Sequence, residues 1–161
     1  MRPCIGIGPV LVKWENRTEK NMDMKTIFRP KVWYIICGAM AMIGGIENMM
    51  NASSWAESAW GAENVNEQAE AMEVLFGTFM IGFGAMSMTA AFVLKGTAQG
   101  TFAVFNGGLM IAFFLFMFVM LNSTGYNMPG APFLAPPFIL LGCLAYSGFL
   151  HMTGDEATLE V

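Results

Sequence analysis

Four apolar runs, each near twenty residues long, dominate this chain: 32–50, 72–94, 101–121 and 133–152. About 20 residues at 1.5 Å rise cross a hydrocarbon core ~30 Å thick. Inside such a core every backbone N–H and C=O must be satisfied within the protein, so an isolated run of this length forms a helix. Charge points the same way. Only 12% of the residues are charged, against about 25% in a soluble domain, and mean hydropathy is +0.52. The expectation is an all-α integral membrane protein: a four-helix up-down bundle over residues 32–152. A basic arm, 1–31, precedes it, and a short acidic tail, 153–161, follows. The spans take up roughly half of the chain and leave little for a separate soluble domain.

The basic residues orient the bundle. Arg2, Lys13, Arg17, Lys20, Lys25, Arg29 and Lys31 precede the first run, and Lys95 joins the second to the third. None lies in the first–second or third–fourth connection, or after the fourth run. The positive-inside rule then puts both termini in the cytoplasm. Lys25, Arg29 and Lys31 are placed to meet anionic lipid headgroups. The first–second connection, with Glu57, Glu63, Glu67 and Glu70, falls outside. Trp55 and Trp60 fit the outer interface, and Trp33 and Tyr34 the inner one. "ENVNEQAEAMEVLF" carries good helix formers, so the second helix is expected to start in water or along the surface. "CIGIGPVLV" is too short for a signal peptide, is interrupted by Pro9, and lacks a small-residue cleavage site.

Lipid gives no hydrophobic drive for one helix to join another, so close approach depends on small residues. Ala41 and Gly45 on the first run, and Gly108 and Ala112 on the third, have small-xxx-small spacing. The second run carries Gly77, Gly82 and Gly84. The fourth carries Gly142, Ala145 and Gly148 at three-residue spacing, roughly one helix face. These ten positions are the expected packing seams. "APP" at 135–137 is expected to mark a bent first turn of the fourth helix, where missing N–H groups cost least.

The candidate polar site is Glu47, Asn48 and Glu73. The stretch "GGIENMMNASSW" puts Glu47 and Asn48 near the outer end of the first helix, and Glu73 stands at the expected start of the second, at the same level. Two readings stand. Both acids mark the water boundary, or they face one another and share a proton or bind a cation. The polar run Asn48, Asn51, Ser53, Ser54 and Trp55 favours the boundary.

Other signals point to structure. Cys4, Cys37 and Cys143 have no C-x-x-C spacing, so neither a redox pair nor a structural zinc site is suggested. His151, at the far end of the fourth run, cannot supply both axial ligands of a bis-histidine haem and suits its own helix C-terminus. Sixteen methionines sit mostly where leucine would serve, and read as adaptable packing residues. No metal site and no cofactor is expected. No P-loop, G-x-S-x-G, H-E-x-x-H or G-x-G-x-x-G motif occurs, and no basic patch with aromatics suggests nucleic acid.

From residue 72 onward the layout is distinctive. "MEVLFGTFMIGFGAMSM" has an acid followed by glycines. After Lys95 come a long apolar helix, a Gly/Pro loop and "PPFILLGCLAYSGFL". This layout resembles small four-helix membrane proteins of the DoxX-like type. The resemblance implies a compact bundle and, from members associated with membrane redox complexes, an accessory-subunit role. The long acidic loop and the basic arm are not part of it. The functional expectation is a non-catalytic scaffold or accessory subunit, with other membrane-protein subunits or further copies of itself as partners. The alternatives are a small oligomeric transporter or channel with acidic groups at its outer mouth, and a lipid- or quinone-directed enzyme.

Overall fold

The computed structural model describes residues 24–128 and 130–153, so the expectations for residues 1–23 and 154–161 lie outside the described residues. Among the described residues the elements are helical throughout. Helix α1 spans Pro30–Met50, α2 Ala52–Trp60, α3 Glu67–Val93, α4 Gly96–Asn122 and α5 Ala131–Met152, with a 3₁₀ turn at Ala62–Asn64. Four stretches, Met24–Met50, Glu67–Val93, Gly96–Asn122 and Pro132–Met152, are long and apolar enough to cross a membrane. By length and composition this is an integral membrane protein.

The helix ends follow local chemistry. Pro30 and Pro132 occupy first turns of α1 and α5, where a missing N–H removes no helical bond. α3 starts at Glu67, five residues before the apolar run, because the Asn66 side chain caps it. Its oxygen accepts the N–H groups of Gln68 and Ala69, each at 3.0 Å. Glu67 and Glu70 in that first turn suit the positive end of the helix dipole. The "APP" expectation is corrected. Pro136 and Pro137 lie inside α5, not in its first turn, so the carbonyls one turn earlier lose their helical donors. The connection after α1 was also more structured than its sequence suggested: α2 is a nine-residue helix.

Backbone approach sorts the helices into two pairs. α1 lies against α3, and α4 against α5. A Cβ built on Gly45 would lie 2.6 Å from the Gly77 carbonyl oxygen, and one on Gly84 2.7 Å from that of Gly38. These two contacts run in opposite chain directions, so α1 and α3 are antiparallel. In the second pair a Cβ on Gly148 would lie 2.5 Å from the Gly100 carbonyl oxygen, and one on Gly107 2.8 Å from that of Leu141. Methionines fill the remaining grooves of the first pair. Met88, Met49 and Met42 lie where a Cβ on Gly38, Gly77 or Gly84 would fall, a place for an unbranched, flexible chain.

The expected seams are therefore partly redrawn. Gly45, Gly77, Gly84 and Gly148 stand at backbone contacts, Ala145 faces Gly107, and Ala41 packs beside the Phe83–Met110–Leu141 cluster. Gly82, Gly108 and Gly142 meet nothing within 4 Å of a built Cβ, and Ala112 is exposed. They belong to no seam among the described residues. Gly38, Gly100 and Gly107 were missed. Spacing alone names two helix faces at once, and only the partner selects between them.

Larger side chains join the two pairs. One cluster holds Tyr34, Cys37, Ala90, Ala91, Ala103 and Leu144; the other holds Phe83, Met110 and Leu141. Tyr34 is fully buried and stacks on Phe102 at 6.2 Å. It is a core residue, not an interface one. The Cys37 thiol reaches across to the Leu140 carbonyl at 3.5 Å. His151 Nδ1 lies 2.8 Å from the Ser147 carbonyl in the last turn of α5.

Candidate functional site

The end of the bundle where α1 finishes and α3 begins carries two acids with opposite fates. Glu47 is exposed. Its carboxylate accepts the Asn51 amide at 3.1 Å and the Trp55 indole N–H at 3.1 and 3.3 Å. Asn51 also donates to the Glu47 carbonyl at 3.2 Å and ends α1. Glu47 thus clips α2 onto the end of α1, at the surface.

Glu73 is only 4% exposed. It lies seven positions after the N-cap Asn66, inside α3 and not at its start, so the expected position at the helix start is corrected. Asn48, turned about 100° around α1 from Glu47 and 7% exposed, donates its amide to one Glu73 oxygen at 3.3 Å. The Tyr126 hydroxyl donates to the other at 3.1 Å. The structure thus brings Asn48 and Glu73 together, adds Tyr126, and leaves Glu47 outside. The facing pair of carboxylates does not form. The reason is helical phase: neighbours in sequence point about 100° apart, so Glu47 and Asn48 cannot both face α3.

A lid holds Tyr126 in place. Its ring meets Trp60 edge to face at 5.2 Å. Asn127 donates its backbone N–H to the Ala59 carbonyl at 2.7 Å and its side-chain amide to the Ser58 carbonyl at 3.2 Å. Gly125, with φ +83°, makes the turn that delivers this segment from α4, a conformation that L side chains rarely adopt. Burial raises the Tyr126 phenol above its ordinary range, and the charge and hydrogen bond of Glu73 add to the rise. Sequence reasoning missed Tyr126. The available signal was a lone aromatic in the Gly/Pro/Asn-rich turn "NSTGYNMPGAP".

Two features stand out chemically. The described bases Lys25, Arg29, Lys31 and Lys95 lie before or at the start of α1, or between α3 and α4, all at the other end. The Asn48 side-chain amide oxygen is buried without a partner among the described residues. It points toward Gly77, one turn along α3 from Glu73, where a built Cβ would lie 3.2 Å away. Elsewhere the Tyr34 hydroxyl, the Ser87 hydroxyl and the Asn106 amide nitrogen are buried without partners in the bundle interior. Among the described residues no group of three His, Cys, Asp or Glu side chains is placed to hold a metal ion. The chain matches no family model, no curated protein and no solved structure.

Proposed function

We propose that this integral membrane protein is a non-catalytic accessory or scaffold subunit, whose outward faces pack against other membrane helices or further copies of the chain. The observation that carries this reading is the unused small-residue face of α4. Gly108 meets nothing within 4 Å of a built Cβ, and Ala112, one turn on, is exposed. A glycine inside a helix costs about 1 kcal/mol relative to alanine. At Gly107 a backbone contact offsets that cost, and at Gly108 nothing among the described residues does. A second helix approaching Gly108 and Ala112 would. The layout resemblance of residues 72–152 to DoxX-like proteins supports the same reading.

In this reading the helices run up-down-up-down, with both termini cytoplasmic and Lys25, Arg29 and Lys31 against anionic headgroups. The location of the bases supports that orientation. Cysteine labelling then reaches position 60 from outside, and positions 20, 96 and 158 only from the cytoplasm; labelling of position 96 from outside overturns it.

The test of function is a photo-crosslinking side chain at position 108 in native membranes, followed by mild detergent purification. Adducts with protein chains are expected. Adducts with lipid alone would remove the basis of the proposal. A second reading, a small oligomeric transporter or channel, is favoured by the burial of Glu73 beneath its lid, since an intramembrane carboxylate is costly and usually functional.

A further inference from the structure

The surroundings of Glu73 contain a mismatch. Hydrogen bonds to a carboxylate from charged or strongly matched donors run at about 2.5–2.9 Å. Here the two donors stand at 3.3 and 3.1 Å. Two neutral groups at that range do not replace the water that burial removed from a carboxylate, and an unpaired buried charge is strongly unfavourable. The described lysines and arginines are all at the far end of the bundle. Two further polar atoms at this end are buried without a partner among the described residues: the Asn48 side-chain amide oxygen, an acceptor, and the Trp60 indole N–H, a neutral donor in the ring packed on Tyr126. What this corner lacks is positive charge.

We propose that Glu73, Asn48 and Tyr126 form a binding site for a small monovalent cation of the sodium class. The Glu73 carboxylate and the Tyr126 phenol oxygen are hard oxygen ligands of the kind that such ions prefer, and the Asn48 amide, whose nitrogen faces Glu73 here, brings its unpartnered oxygen to the ion by turning over about its last side-chain bond. They come from three separate elements: α3, α1 and the lid. A single carboxylate neutralises one positive charge, so a divalent ion would leave an excess buried charge. The other acids do not compete for the ion directly. Glu47 is turned outward and held by Asn51 and Trp55, and Glu70 is half-buried one turn further toward the helix start. With Glu57, Glu63 and Glu67 they make this end of the molecule acidic, which raises the local cation concentration. Tyr126 gates access, because its ring and Asn127 tie the lid to α2. The site rests on this geometry and on neither reading of function.

The experiment uses the full chain in detergent at fixed ionic strength, with N-methylglucamine chloride replaced stepwise by NaCl. The thermal midpoint is expected to rise with the logarithm of NaCl concentration above the Kd, as for any ligand of the folded state alone. Binding of radiolabelled sodium should follow the same curve. Glu73→Gln should abolish both responses. Tyr126→Phe should weaken the Kd by about tenfold, the loss of one polar contact to a charge. Glu47→Gln should leave both unchanged. Asn48→Asp should transfer the response to CaCl2, because a second carboxylate suits a divalent ion; this shift in selectivity carries the test if Glu73→Gln does not fold. No sodium response in the native chain, an equal response in Glu73→Gln, or a response to pH alone would overturn the proposal.

Discussion

Gly107 and Gly108 are adjacent in sequence and opposite in role. Gly107 stands where a Cβ would strike the Leu141 backbone and Ala145, while Gly108 looks into open space. Gly84 and Gly82 make the same contrast on α3, as do Gly148 and Gly142 on α5. Each of these helices carries glycines that close a helix pair and another that meets nothing among the described residues. The lesson is that small residues in a membrane helix record approach by some backbone without recording whose. The closed seams join the helix pairs, and the open positions make no such contact among the described residues.

The largest expected effect breaks the closed seam. Gly45→Leu and Gly148→Leu force a side chain against backbone at 2.6 and 2.5 Å, which cannot move aside as a flexible side chain would. Overpacking of this kind costs about 1–3 kcal/mol or more. Thermal unfolding in detergent should show a large fall in midpoint for both, and a midpoint equal to the native one would show that the α1–α3 and α4–α5 seams are wrongly placed.

Next comes the lidded acid. Glu73→Leu strands the Asn48 amide and the Tyr126 hydroxyl, both donors to its carboxylate. A buried donor left unmet costs about 1–3 kcal/mol. Glu47→Gln, at an exposed carboxylate, should stay within about 0.5 kcal/mol. Because the two acids share no contact, a double-mutant cycle between them should give coupling below about 0.5 kcal/mol. Stronger coupling would mean that they do face each other.

The Tyr126 phenol sharpens the same contrast through pH. Its pKa is raised above the ordinary 10.0 by burial and by Glu73. The stability it contributes is therefore fully present below pH 10.0 and is lost as pH rises through its raised folded-state value. Alkaline titration of the tyrosine absorbance should show late-ionising phenol in the native chain, and the late amplitude should fall in Tyr126→Phe without disappearing, because Tyr34 is also buried. The smallest effect is at the open face. Gly108→Leu should change the midpoint of the isolated chain by no more than about 0.5 kcal/mol, yet reduce recovery of any co-purifying chain. A large loss of intrinsic stability would place Gly108 in an internal seam after all.

The methionines and the site illustrate how far the sequence could be read. Met42, Met49 and Met88 were legible as packing residues, because an apolar span without His or Cys partners offers no soft-metal site, and they do lie along the glycine grooves. Asn48 and Glu73 were legible as polar groups at one level, because two antiparallel helices of known start bring residues of known rise to the same height. The pairing of Glu47 with Glu73 was not available from height alone. It depends on rotation about the helix axis, and an error of one residue turns a side chain by about 100°.

Sequence by itself determined the four membrane-capable helices, since an apolar run near twenty residues with so few charges has no other way to satisfy its backbone. It also determined that, among the described residues, the acids gather at one end and the bases at the other. Only the tertiary structure decided which glycines touch, that α2 forms and receives the lid, and that Tyr126 closes over Glu73. The physical reason is one of range. Helix formation in an apolar run is settled by hydrogen bonds four residues apart, whereas Tyr126 and Glu73 stand 53 residues apart. Their meeting depends on the rotation and tilt of every helix between them.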